Sequence, residues 1–110
     1  MMVWTHLLSY FLGGAFLANA IPHFVSGVMG RSFQSPFATP GGEGLSSSIV
    51  NVLWGFANLV LFYLLVVRVG SFDLRDITQV AALGLGMLGL GLFAARHFGR
   101  FHGGIMPEQS

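Results

Sequence analysis

The chain has 110 residues, of which 54% are hydrophobic and only 8% charged, far below the roughly 25% charged fraction of soluble domains. Its five basic side chains are all Arg and nearly balance four carboxylates to a net charge of +1, so no basic surface suited to nucleic acid exists. There is no Cys, which removes disulfides, thiolate metal sites and a cysteine nucleophile.

The first apolar stretch, residues 5–28, THLLSYFLGGAFLANAIPHFVSGV, is long enough to cross a bilayer and contains Pro22. Proline removes one backbone hydrogen bond and crowds the preceding turn. Neighbouring helices absorb that defect in a membrane, so the sequence predicts a transmembrane helix kinked at Pro22. One alternative is a shorter helix ending at Ile21. Another is a cleaved signal peptide, since Ala18, Asn19 and Ala20 match a small-residue cleavage pattern; the lack of Lys or Arg in residues 1–6 argues against it. Residues 29–45 carry Pro36, Pro40 and several Gly, which excludes a helix and predicts a long Gly/Pro loop. A loop of this length is usually functional or disordered, and Phe33 and Phe37 suit it to the membrane surface.

The second span, residues 46–69, SSSIVNVLWGFANLVLFYLLVVRV, would rise about 36 Å as a helix, enough to cross a hydrocarbon core of roughly 30 Å with some tilt. Ser46 to Ser48 offer N-cap oxygens. Asn51, Trp54, Gly55, Asn58 and Phe62 share one face, while Leu53, Ala57, Val60 and Leu64 make an apolar face for lipid. An amide unpaired in hydrocarbon is costly, so both Asn side chains should turn toward other helices or a wet cavity.

A turn at residues 70–75 leads to a third helix at 76–98, with Asp73 or Asp76 as its cap and a good match to the helix dipole. Its small residues form two tracks: Ala81, Gly84, Gly91 and Ala95 on one, Ala82, Gly86 and Gly89 on the other. Small residues let helices approach closely in lipid. The tracks, with Gly55 of the second helix, therefore predict packing surfaces, either one for this chain and one for a second copy or both within one bundle. The tail at residues 99–110 is expected to fray. The expected architecture is thus a single all-α membrane domain over residues 1–110, a bundle of three transmembrane helices.

With three spans, the long loop and the C-terminus share a side. That side holds Arg31, Arg96 and Arg100, against Arg68, Arg75 and the amino group on the other, which leans toward a cytoplasmic C-terminus. The near balance also leaves open copies inserted both ways.

Asn19 and His23 sit at i and i+4 on the first helix, in the same membrane half as Asn51, with Asn58 near the middle. Intramembrane polar residues are functional suspects by default. Asn19, His23, Asn51 and Asn58 are therefore the candidate site: a polar pocket with Arg96, His97 and Arg100 at its mouth, favouring an anionic solute. The competing reading makes the same side chains interhelical glue, at about 0.6–2 kcal/mol per bond.

Stronger chemistry lacks its residues. Glu43, Asp73, Asp76 and Glu108 all lie outside the spans, which removes proton coupling through a membrane carboxylate. Haem between His23 and His97 lacks a matched histidine pair on each helix, so no cofactor and no metal are expected. No nucleophile triad or phosphate loop is visible, and the chain is not expected to be an enzyme.

The strings LANAIPHFVSGVMGR (residues 17–31) and VNVLWGFANL (residues 50–59) resemble those of small uncharacterised bacterial multi-pass membrane proteins. That resemblance implies a bacterial cytoplasmic membrane and brings no activity with it. Two functions are expected to compete. One is a structural or accessory membrane subunit, packing through its Gly/Ala tracks as a homo-oligomer or on a partner membrane protein. The other is an oligomeric transporter or channel for a small solute.

Overall fold

The computed structural model describes residues 3–105: helix α1 (Val3–Val28), strands β1 (Phe33–Gln34) and β2 (Leu45–Ser46), helix α2 (Ser48–Val66) and helix α3 (Ile77–His102). All three helices are long and apolar enough to cross a membrane, judged by length and composition. The distribution of side chains is compatible with a lipid surrounding. The buried side chains include Ser9, His23, Gln34, Ser35, Asn51 and Asn58, while Leu53, Phe56, Leu85, Leu88, Leu92 and Phe93 face outward. In water that arrangement would expose apolar surface far beyond isolated residues; in hydrocarbon it is the low-energy one.

Helix α1 occupies the middle of the bundle. It packs along both α2 and α3, whereas α2 and α3 make no extended contact with each other among the described residues. Pro22 lies inside α1, which continues past it to Val28, so the shorter helix ending at Ile21 is not the one formed.

Helix α2 starts later and stops earlier than the 46–69 span that apolarity alone suggests. Ser46 is taken by the hairpin, in register with Phe33, and the cap falls to Ser47, whose Oγ accepts from the Val50 N–H at 3.2 Å. At the far end the Val67 N–H bonds the Tyr63 carbonyl, and the chain then turns through Gly70 at φ +66°. The resulting 19 residues rise about 28 Å, close to the hydrocarbon thickness without tilt.

Asp76 caps α3, accepting from the Thr78 and Gln79 N–H groups at 2.9 and 3.3 Å. The helix runs on beyond the expected end at Phe98 to His102 and stops at Gly103, which is left-handed at φ +80°. One glycine, Gly99, costs a helix only about 1 kcal/mol relative to Ala, too little to end it there. The expected frayed tail therefore begins as helix, and its last residues, 106–110, lie outside the described residues.

Between α1 and α2 the chain is folded, although its strands are only two residues each. Phe33 pairs with Ser46 and Gln34 with Leu45, antiparallel. Ser35 secures the connection: its Oγ meets Ser46 Oγ at 2.6 Å and accepts from the Phe37 N–H at 3.1 Å, and its carbonyl accepts from the Gly42 N–H at 2.7 Å.

Candidate functional site

The four polar residues singled out from the sequence meet across the α1–α2 seam as two couples. Asn19 Nδ2 donates to Asn58 Oδ1 at 3.0 Å, and Asn58 Nδ2 donates back one turn to the Trp54 carbonyl at 2.8 Å. His23 Nδ1 lies 2.8 Å from Asn51 Oδ1. The direction of that bond follows from the other end of the amide. Asn51 Nδ2 faces three carbonyls, those of Phe33, Ser46 and Ser47, at 3.2, 3.2 and 3.0 Å. Two N–H groups serve three acceptors, so the amide oxygen is left to His23, whose Nδ1 must carry the hydrogen. Asn51 and Asn58 are both 0% exposed.

Rings close off the remaining sides of His23. Phe33, Phe98 and Trp54 meet it edge to face with centroids at 5.5, 5.8 and 6.3 Å. Among the described residues the site holds no carboxylate to orient the imidazole or share its proton, and the imidazole contacts an amide and three aromatic rings. What this arrangement can do chemically is hold a fixed set of hydrogen bonds away from the molecular surface.

Arg96, His97 and Arg100 do not open onto this cluster. His97 Nε2 donates to the Gly42 carbonyl at 2.6 Å, and Arg100 Nη2 donates to His97 Nδ1 at 3.2 Å. Both bonds fit one neutral tautomer, with the hydrogen on Nε2. Phe93 stacks on the His97 ring at 5.7 Å, and with Arg96 and Arg100 these residues line a separate shallow recess. His102 repeats the pattern by meeting Gln34 Oε1 at 2.8 Å. The hairpin segment is therefore fastened from three places: Asn51 below it, and His97 and His102 from α3.

The expected packing glycines divide. Gly55 is needed: a Cβ there would lie 2.6 Å from the Phe24 nitrogen. Gly86 is needed too, because its Cβ would strike the Phe11 carbonyl. Ala82 is half-buried. Gly84, Gly89 and Gly91 face open space, with no atom within 4 Å of an added Cβ. The glycines that do the remaining packing are on α1. Gly27 fits against Ser48 and Val52, Gly13 against Leu65 and Val66, and Gly14 against the backbone of Leu83 and Met87.

Sequence reasoning passed over Ser9 and Tyr10. Ser9 Oγ donates to the Leu65 carbonyl at 2.6 Å, a third polar tie on the α1–α2 seam. Ser9, Gly13, Ala20, His23 and Gly27 follow helical spacing, which is the signal that marked this face. At the opposite end from the cluster, Tyr10 borders a cleft of about 500 Å³ with His6, Gly70, Ser71, Asp76 and Gln79. The Tyr10 ring packs edge-on to Phe72 at 5.0 Å, and its hydroxyl is buried without a hydrogen-bond partner.

Comparison of the chain with protein-family models, with curated proteins and with solved structures finds no match.

Proposed function

We propose that this chain is a structural or accessory membrane subunit, spanning the bilayer three times and docking on a neighbouring membrane helix through the outward track of α3. The observation that carries this reading is the state of the polar cluster. Asn51, Asn58, Asn19 and His23 are engaged with each other and with backbone carbonyls, and the two central amides are sealed from solvent. A solute path through them would need those groups free to exchange partners, so the transport reading draws no support from their geometry.

The docking surface follows from what is left over. Ala81 and Gly84 are exposed on one flank of α3, Gly91 and Ala95 further along border a cleft toward α1, and the flank that meets α1 uses Ala82 and Gly86. A helix crossing at Gly84 could approach as closely as α1 approaches Gly86. The reading places the hairpin and the C-terminus on the cytoplasmic side of a bacterial inner membrane, with Arg31, Arg96 and Arg100 as the positive-inside signal.

A photo-crosslinking residue in place of Gly84, irradiated in native membranes, tests the reading. A protein adduct at this position, absent when the same probe replaces Leu53 on the outer face of α2, is the expected result. Lipid adducts alone at both positions would overturn it.

A further inference from the structure

We propose that the cleft between α1 and α3, on the hairpin side of the bundle, binds one anionic phospholipid, with an acyl chain in the cleft and the phosphate at Arg31. The cleft is about 510 Å³, inside the roughly 300–1,000 Å³ range of ligand sites. Ile21 and Pro22 of α1 form one wall, and Met87, Gly91, Ala94 and Phe98 of α3 form the other. It exists because the α3 wall is small there: an added Cβ at Gly91 would meet no atom within 4 Å. Apolar walls do not hold water, so within a bilayer the space falls to hydrocarbon.

Two observations make the occupant a lipid of one leaflet with a negative headgroup. Met87 and His102, at the two ends of the cleft wall, stand about 22 Å apart along a helix, the depth of one leaflet of a bilayer that is about 40–45 Å thick with its headgroups. At the shallow end, Phe33 and His102 are shared with a second recess of about 280 Å³, which is lined by Ser26, Arg31 and Ser32. Phe33 and His102 stack nearly parallel at 5.0 Å and form a fixed partition where the oily cleft meets the polar recess. His102 Nε2 donates to Gln34, and Arg31 brings a guanidinium charge to the recess. Arg31 is exposed and forms no ion pair among the described residues. A phosphodiester answers it, and α1, α2 and α3 carry no carboxylate within their lengths to pair with it from inside the membrane.

Native mass spectrometry of the full chain in detergent, titrated with dioleoyl phosphatidylglycerol or dioleoyl phosphatidylcholine, tests this. One phosphatidylglycerol per chain is expected to be retained, with about fivefold preference over phosphatidylcholine. Arg31→Ala should bring the preference close to one, Arg31→Lys should keep it, and Arg68→Ala at the other membrane face should leave it unchanged. Gly91→Leu, whose side chain grows into the cleft, should lower retention of both lipids while circular dichroism shows unchanged helix content. Equal retention of the two lipids by the wild type would overturn the proposal. So would a preference that survives Arg31→Ala, full retention by Gly91→Leu, or a second copy of the chain in place of lipid. None of these readouts depends on the crosslink at Gly84.

Discussion

Helix α1 meets both neighbours through close glycine contacts, and toward α2 it adds polar ties. Toward α2 it offers side-chain hydrogen bonds: Ser9 to the Leu65 carbonyl, Asn19 to Asn58 and His23 to Asn51. Toward α3 it offers bare backbone, with Gly14 and Gly86 pressed against the opposite main chains and no side-chain hydrogen bond at that crossing among the described residues. In lipid there is no hydrophobic force between helices, so association rests on packing and on polar ties. The comparison shows what the polar ties add, since Gly13, Gly27 and Gly55 bring α1 and α2 close together just as Gly14 and Gly86 bring α1 and α3. A polar seam fixes register, because each donor has one acceptor at one height, whereas a glycine seam fixes distance and tolerates nothing larger.

The largest expected effect is on the glycine seam. Gly86→Val drives a side chain into the Phe11 carbonyl, which cannot swing away, and should cost about 1–3 kcal/mol or more. Unfolding in mixed detergent and SDS micelles would show it as a lower midpoint; an unchanged midpoint would mean that α1 and α3 do not meet backbone to backbone.

Next comes the polar seam at its most connected residue. Asn51→Leu leaves His23 without its acceptor and removes the side-chain donor to the carbonyls of Phe33, Ser46 and Ser47, at about 1–3 kcal/mol by the same assay. It should also loosen the hairpin and speed tryptic cleavage after Arg31. A smaller effect is expected from Asn19→Ala, about 0.6–1.7 kcal/mol, since one interhelical bond is lost and Asn58 keeps its tie to Trp54. Should Asn19→Ala cost more than Asn51→Leu, the seam is ordered differently from this account. The smallest effect belongs to Gly84→Leu, within about 0.5 kcal/mol for the isolated chain, because the position faces open space.

The polar stripe of α2 could be read from sequence because an amide has few places to go in a hydrocarbon, and Asn51 and Asn58 are buried as that constraint requires. The cap at Asp76 was legible for the same kind of reason: a local side chain meets local N–H groups. The central position of α1 was not legible. Its glycines are fewer than those of α3, and a glycine that meets a neighbour looks the same in sequence as one that faces outward. Gly84, Gly89 and Gly91 drew attention by number, while Gly13, Gly14 and Gly27 make the contacts. The folded state of the segment at residues 29–45 was hidden because its strands are short and its anchors, His97 and His102, lie far along the chain. Spacing along one helix cannot report a bond between elements so distant.

Because α2 and α3 pack on α1 and make no extended contact with each other among the described residues, their covalent link near Ser71 carries little of the architecture. The chain behaves as a spine with two ribs. Cut into fragments 1–70 and 71–110, which separate the third helix from the rest, it should reassemble in one membrane from two genes.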